Sequence, residues 1–134
     1  MITIDTSAML ALLDRKSRYH DRMVTALRAE RPPFLVPAAT LGELGYFFTY
    51  RFSTDVTTPF LHDLRTGAWT LDCGDTDLER VSELVERYAD LPLGLVDAAV
   101  AACAERNGGR VLALGRDLEV VAREGTLEVL PASA

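Results

Sequence analysis

Short apolar runs alternate with longer helical patterns along this chain of 134 residues. The runs that predict buried strands are residues 1–5, 34–37, 68–71, 110–114 and 127–130. Helical patterns occupy residues 7–13, 19–29, 40–52, 59–65, 76–88, 95–105 and 117–123. Strands separated by helices pair in parallel, with helices on the faces of the sheet. The order predicts one α/β domain with a central parallel sheet flanked by helices and the last strand at an edge.

The composition excludes several classes of protein. With 49% hydrophobic residues, the chain is sufficient for one domain with a substantial core. No apolar run is long enough for a membrane span, and no basic region followed by an apolar one precedes the first strand, so we expect a cytoplasmic protein. Cys73 and Cys103 lack metal-site spacing, and Cys103 is expected to be a small buried hydrophobe.

The net charge of −6 is spread unevenly. Residues 1–71 hold 8 basic and 7 acidic residues, whereas residues 72–134 hold 6 and 13. An acidic chain binds nucleic acid poorly by electrostatics alone, so it would need a divalent cation, a basic strip or a basic partner. One early segment holds such a strip, which serves either as a solvated helix face or as a nucleic-acid contact: Arg15, Lys16, Arg18, His20, Arg22, Arg28 and Arg31.

Three acidic residues lie at positions in predicted strands and helices that an apolar core alone does not explain. Asp5 ends the first strand, Glu43 lies early in the helix after the second strand, and Asp97 lies in the first turn of the most apolar helix. Parallel strands end at the same edge of a sheet, so these side chains are expected to converge. Because like charges repel, an acid cluster in apolar surroundings favours a cation between them, and oxygen ligands suit Mg²⁺ or Mn²⁺.

Each acid also has a purely structural interpretation. Asp5 can cap or salt-bridge the strand end, although Ser7 is the residue predicted to be the N-cap of the first helix. Glu43 with Thr40 fits a capping box, and the helix dipole favours Asp97 without any ligand. Other acids are predicted to be solvated or capping residues: Asp72, Asp75, Asp77, Glu79, Glu83 and Glu86.

With these residues identified, the chain resembles the PIN-domain family, and specifically the VapC-type toxins of bacterial toxin–antitoxin pairs. Residues 4–8 are similar to the opening motif of the family, and residues 39–44 to its glutamate-bearing helix. The most specific match is the LPLG-x-x-DA stretch within residues 90–98, followed by residues 104–106. The resemblance extends over nearly the whole length and implies a single PIN-like domain at residues 1–134.

The resemblance implies a Mg²⁺-dependent endoribonuclease with a quartet of acids. Asp5 and Asp97 correspond to the metal-binding acids, and Glu43 corresponds to the catalytic-site glutamate. The family usually places its fourth acid directly after a late strand, where this chain has Gly115. Asp117, two residues later, either substitutes for that acid or is the N-cap of the following helix.

The implied reaction is an in-line attack of water on phosphorus, which leaves a 5′-phosphate and a 3′-hydroxyl. Glu43, or Asp117 if it reaches the site, would orient or deprotonate the water. Thr6 and Ser7 could bond the Asp5 carboxylate or a phosphate, and Arg116 is a candidate for an RNA backbone contact.

The resemblance also implies partners. A cognate antitoxin protein would place a helix and an arginine in the acidic site. A homodimer is expected because the helix at residues 40–52 has more aromatic residues than one face can bury. The alternative is a PIN fold that has lost activity through Gly115 and binds RNA or a partner protein.

Overall fold

The computed structural model describes residues 1–132 of the chain. In chain order its elements are β1 (Ile2–Ile4), α1 (Thr6–Leu13), α2 (His20–Arg28), β2 (Phe34–Pro37), α3 (Thr40–Tyr50), α4 (Thr57–Thr66), β3 (Thr70–Asp72), α5 (Leu78–Arg87), α6 (Leu95–Arg106), β4 (Arg110–Leu112), α7 (Asp117–Ala122) and β5 (Glu128–Leu130). The predicted alternation of strands and helices is confirmed.

The five strands form one parallel sheet in the order β3-β2-β1-β4-β5. β1 is central, with Thr3 opposite Leu35 on one side and Val111 on the other. The last strand lies at an edge, as its sequence predicts. The chain crosses from β1 through helices to β2 and returns later to β4, so the strand order changes direction next to β1. In open α/β sheets, such a switch point is where sites form.

Side chains of β1 alternate between two helical layers. Ile2 and Ile4 pack in a core cluster that includes Met9 of α1. Thr3 points the other way, where its hydroxyl contacts the Cys103 sulfur of α6 at 3.8 Å. Cys103 is buried, as predicted, and burial raises the pKa of its thiol to about 11, which favours the neutral form. The central strand is therefore covered on both faces.

Two details of the sequence interpretation are wrong. The helical spacing of Leu78, Val81, Leu84 and Val85 predicts that all four side chains face the core. Leu78 is instead 71% exposed, because it is the first residue of α5 and precedes the buried stripe that begins at Val81. Asp72 and Asp77 were predicted to be solvated or capping residues. Asp77 is at the N-cap position of α5 but makes no side-chain capping bond. Both acids instead bind Arg106, and Asp77 is only 8% exposed.

Arg106 joins three elements through these two acids. Its Nε donates to Asp77 Oδ1 at 2.7 Å, and its Nη1 donates to Asp72 Oδ2 at 3.1 Å. The hydrogen bond and charge of Arg106 hold the pKa of Asp72 below its ordinary value. The C-terminal end of α6 is thereby tied to the end of β3 and the start of α5.

Within residues 1–132, no helix has the length and apolarity needed to cross a membrane.

Replacing Arg106 with methionine is expected to lower the free energy of unfolding by roughly 1–3 kcal/mol, because Asp77 would stay buried without its cation. The expected loss is kept this small because Arg106 itself is partly exposed, so that water weakens its interaction with the acids. Denaturant titration measures the loss, and Arg65→Met is the control, since Arg65 is exposed and its side chain bonds its helix neighbour His62 rather than a buried acid. Equal losses in both variants would contradict this account of Arg106.

Candidate active site

All four predicted acids line one cavity of about 590 Å³ beyond the carboxyl ends of β1 and β4. They come from four segments of the chain: Asp5 at the start of α1, Glu43 in α3, Asp97 in α6 and Asp117 in α7. The expected convergence of Asp5, Glu43 and Asp97 is therefore present in the geometry.

Asp5 is the N-cap of α1, so the prediction that Ser7 caps this helix is wrong. The backbone of Asp5 is extended, and its Oδ2 accepts a hydrogen bond from the Ser7 N–H at 3.2 Å. The Ser7 hydroxyl lies inside the helix and also bonds Asp5 Oδ2. Asp5 is only 7% exposed, and burial raises its pKa, although the bonds from Ser7 and Thr6 oppose that rise.

Ser7 has a second function, which is to join the cavity wall to β4. The N–H of Leu114 donates to the Ser7 hydroxyl at 2.9 Å. Because Leu114 follows β4, this bond fixes the loop after β4 against the start of α1. One serine thus positions both the Asp5 carboxylate and the loop that leads to Asp117.

Glu43 is oriented by the neighbouring Thr6 hydroxyl rather than by a capping box. Thr6 Oγ1 donates to Glu43 Oε1 at 2.8 Å. Ala39 is the N-cap of α3 and has no side-chain capping bond, while the Thr40 hydroxyl bonds the Pro37 carbonyl at 2.8 Å. The capping-box interpretation is wrong because both side chains have other partners.

Asp97 is a second carboxylate in the cavity whose pKa is raised. Its pKa is raised to about 6, first by burial and then by the negative charges of Asp5, Asp117 and Glu43. A hydrogen bond to the backbone of Gly94 partly opposes this rise. Perturbed carboxylates in a cavity are typical of functional sites. At neutral pH, Asp97 is therefore an anion held close to other anions.

Asp117 is the first residue of α7 rather than its N-cap, which is Arg116. The capping alternative is wrong, and Asp117 is free of a capping bond within the described residues. Gly115 has φ of +89°. This left-handed turn follows β4 and leads the chain to Asp117, whose charge contributes to the pKa of Asp97.

The donor set suits a hard divalent cation. Within residues 1–132, no group of three His, Cys, Asp or Glu side chains forms a ready metal cluster. Mg²⁺, however, commonly uses only one or two carboxylates and completes its shell with water and substrate phosphates. Asp5 and Asp97 are oxygen donors, and the negative charge of Asp5 contributes to the raised pKa of Asp97. A cation between them would relieve that repulsion.

The sequence interpretation missed part of the cavity wall. Phe47, Phe52 and Arg51 border the cavity together with Tyr19 and Leu10. A signal was available for two of them, because Phe47 and Arg51 follow Glu43 at intervals of four residues and therefore lie on one side of a helix.

The sequence profile of the PIN domain family matches residues 2–124. The chain belongs to the PIN-domain family. It is similar to ribonuclease VapC26 of Mycobacterium tuberculosis, with 32% identity over 110 residues, which cover 81% of this chain and 82% of that protein. The resemblance to VapC-type proteins is thus confirmed.

The fold is also similar to a solved structure of this family. The crystal structure of Mycobacterium tuberculosis VapC20, described as a toxin that cleaves the sarcin–ricin loop, matches with a TM-score of 0.77 and 22% identity. The match covers 90% of this chain and 95% of that one. The PIN-like α/β fold is confirmed, and at this identity the likeness concerns the fold alone.

Replacing Asp97 with asparagine is expected to stabilise the metal-free protein at pH 7. Because the folded pKa of about 6 lies above the ordinary 3.8, the folded state binds more protons between these values, and wild-type stability falls as pH rises through them. After discounting for partial exposure, we expect a gain of roughly 1 kcal/mol at pH 7, or about 3–5 °C in melting temperature.

Thermal unfolding in EDTA at about pH 4 and about pH 7 measures this effect. The gain should vanish at the lower pH, where Asp97 is protonated in the folded protein. The control is Asp90→Asn, because Asp90 is exposed and outside the cavity lining. A destabilised Asp97→Asn at pH 7 would contradict the proposed repulsion.

Proposed function

We propose that this PIN domain is a Mg²⁺- or Mn²⁺-dependent endoribonuclease of the VapC type, acting as a toxin that a cognate antitoxin neutralises. The observation that carries the proposal is the meeting of Asp5, Glu43, Asp97 and Asp117 at one cavity, with the pKa of Asp97 raised to about 6. The similarity to ribonuclease VapC26 supports RNA as the substrate. Repelling carboxylates have an energetic cost, which a bound cation would offset.

Each residue of the cavity has a proposed role in the reaction. Asp5 and Asp97 would hold the cation, which supplies charge neutralisation at the scissile phosphate and makes a nearby water more acidic. Ser7 fixes the Asp5 carboxylate, and Thr6 holds Glu43 through Oε1. Glu43 would use Oε2 to orient the attacking water and accept its proton. Asp117 would complete the acidic wall.

The bonds made and broken then follow from an in-line displacement. The water oxygen bonds to phosphorus, its proton passes to Glu43, and the bond from phosphorus to the 3′ oxygen breaks. The products are a 5′-phosphate and a 3′-hydroxyl, the latter protonated from solvent. Arg116 borders the cavity and would contact an RNA phosphate.

The proposal extends to partners. An antitoxin would compete for the acidic cavity by presenting a cationic side chain there. The expected homodimer would use the outer edge of α3, where Tyr46 and Tyr50 are 61% and 73% exposed. The remaining expectations are a cytoplasmic location and a single functional unit at residues 1–134.

The deciding experiment is cleavage of total RNA with Mg²⁺ or Mn²⁺. Wild-type protein should cut, whereas EDTA or Asp97→Asn should reduce the rate by at least about 100-fold, because charge stabilisation at phosphorus is lost. Asp90→Asn is the matched control, and the fragments should end in 5′-phosphates. The melting temperature should also rise with Mg²⁺ in wild type but not in Asp97→Asn.

The alternative binding module makes the opposite prediction. A folded, antitoxin-free protein that cuts no RNA and gains no thermal stability from Mg²⁺ would reject the nuclease and favour a PIN fold that only binds RNA or a protein. Asp117→Asn tests whether Asp117 acts as the fourth acid, since slower cleavage would assign Asp117 to the site.

Light scattering tests the homodimer. We expect twice the chain mass for wild type and a shift toward monomer in a Tyr46→Ser, Tyr50→Ser double variant, because exposed aromatic rings would lose their apolar contact across the interface. A wild-type protein that stays monomeric, alone and with its antitoxin, would reject the dimer.

A further inference from the structure

A second cavity, of about 230 Å³, lies on the opposite side of α6 from the candidate catalytic acids. Leu95 and Ala99 of that helix line the second cavity, whereas Asp97, two positions from each, lines the acidic cavity. Residues two positions apart point to opposite sides of an α-helix. Most of the remaining lining comes from the ends of β2 and β3 and from the starts of α3 and α5. Within residues 1–132, the two cavities share no lining residue.

The second cavity is small and largely apolar. Short side chains in its lining, such as those of Ala39 and Ala99, leave the space open. The two acids in the lining, Asp72 and Asp77, are already bound to Arg106. The volume lies below the roughly 300–1,000 Å³ that is typical of pockets for small molecules. The second cavity therefore has the size and polarity of a site for one apolar side chain.

Two exposed leucines border this cavity. Leu78 and Leu95 are 71% and 67% exposed, and each is the first residue of its helix. A single exposed leucine is ordinary, but two at one apolar cavity form a patch of the kind that a partner covers. Because apolar surface is more stable out of water, covering both side chains would favour binding.

The charges next to the patch are negative. Asp75 and Glu79 are exposed, and they directly follow two lining residues, Gly74 and Leu78. In the part of the chain that the structure describes, neither acid has a basic side chain within ion-pair distance. Arg106 beside the cavity is already bound to acids. Asp75 and Glu79, which we call the acidic rim, are therefore available to cations from outside.

We propose that the second cavity docks a segment of a partner protein in which one apolar side chain is flanked by lysine or arginine. The apolar side chain would enter between Leu78 and Leu95, and the flanking cations would pair with the acidic rim. An apolar anchor in a pocket supplies affinity, and complementary charge around it supplies specificity. The inference does not depend on the proposed nuclease function, because the two cavities have separate linings.

Charge favours a cationic partner over a second copy of this chain as the occupant. In a symmetric dimer the same surface of each subunit meets at the interface. Two copies joined at the second cavity would therefore bring their acidic rims together, and like charges at an interface are unfavourable. The net charge of −6 adds to that repulsion. A segment that carries lysine or arginine reverses the sign of the interaction.

Selection from displayed peptides tests the chemistry of the occupant. Random dodecapeptides on phage are selected on the wild-type protein, after removal of those that bind a Leu78→Ser, Leu95→Ser double variant. Both leucines are exposed, so the double variant should keep the melting temperature of the wild type. The retained peptides should place leucine, isoleucine, methionine or phenylalanine next to lysine or arginine.

Fluorescence anisotropy of one retained peptide, synthesised with a label, measures the contributions of the patch and of the rim. Its Kd should rise at least about 10-fold in the leucine double variant and on the order of 10-fold in an Asp75→Lys, Glu79→Lys variant, because the anchor and the charge pairing are lost in turn. The matched controls are Leu61→Ser, at an exposed leucine of α4, and Asp21→Lys, at an exposed acid of α2. Both controls should leave the Kd unchanged, since neither residue lines the second cavity.

Cationic peptides could also enter the acidic cavity, so Asp97→Asn provides a further comparison. The Kd should be the same in wild type and in Asp97→Asn, with and without Mg²⁺. A Kd that depends on Asp97 but not on the two leucines would place the peptide among the catalytic acids and overturn the inference.

Three other results would also overturn it. One is a selection that retains no peptide on the wild type over the double variant, and another is retained peptides that are acidic or uncharged. The third is a dimer in light scattering that becomes monomeric in the leucine double variant, because a second copy would then cover the cavity.

Discussion

Burial of the Asp5 carboxylate is the constraint on which this site depends. The first strand delivers Asp5 to the switch point of a parallel sheet, where it is almost fully buried and its pKa is raised. A buried anion needs hydrogen bonds, and Ser7 supplies two of them. The same serine hydroxyl accepts the N–H of Leu114, so the geometry of the acid and of the loop after β4 are set together.

The distribution of charge follows a simple physical logic. Away from the cavity, several arginines are paired with acids from other segments of the chain: Arg80, Arg87, Arg106 and Arg110. At the cavity, Asp97 is left among like charges and Arg51 without an acid in the described part of the chain. Unpaired charges of both signs at one cavity contribute little to folding stability. They favour binding of a ligand in which a cation meets the acids and phosphates meet the arginine.

Periodicity was sufficient to predict the parallel sheet, the edge position of the last strand and the convergence of Asp5, Glu43 and Asp97. Those features depend on the order of the strands and helices and on the fact that parallel strands all end at the same edge of the sheet. The partners of individual side chains could not be predicted in this way. Thr6 bonds Glu43 across 37 positions of sequence, and local patterns instead suggested a capping box for Glu43. Phe47 has helical spacing that is equally typical of a core residue.

Backbone conformation explains why position 115 is a glycine where the family usually has its fourth acid. At position 115 the backbone has φ of +89°, which a residue with a Cβ adopts only with strain, although no neighbouring atom would obstruct a Cβ. An aspartate at position 115 would therefore be disfavoured by the turn itself. Asp117 instead begins α7 and still raises the pKa of Asp97. Since its negative charge reaches the cavity from this position, Gly115 by itself is weak support for an inactive domain.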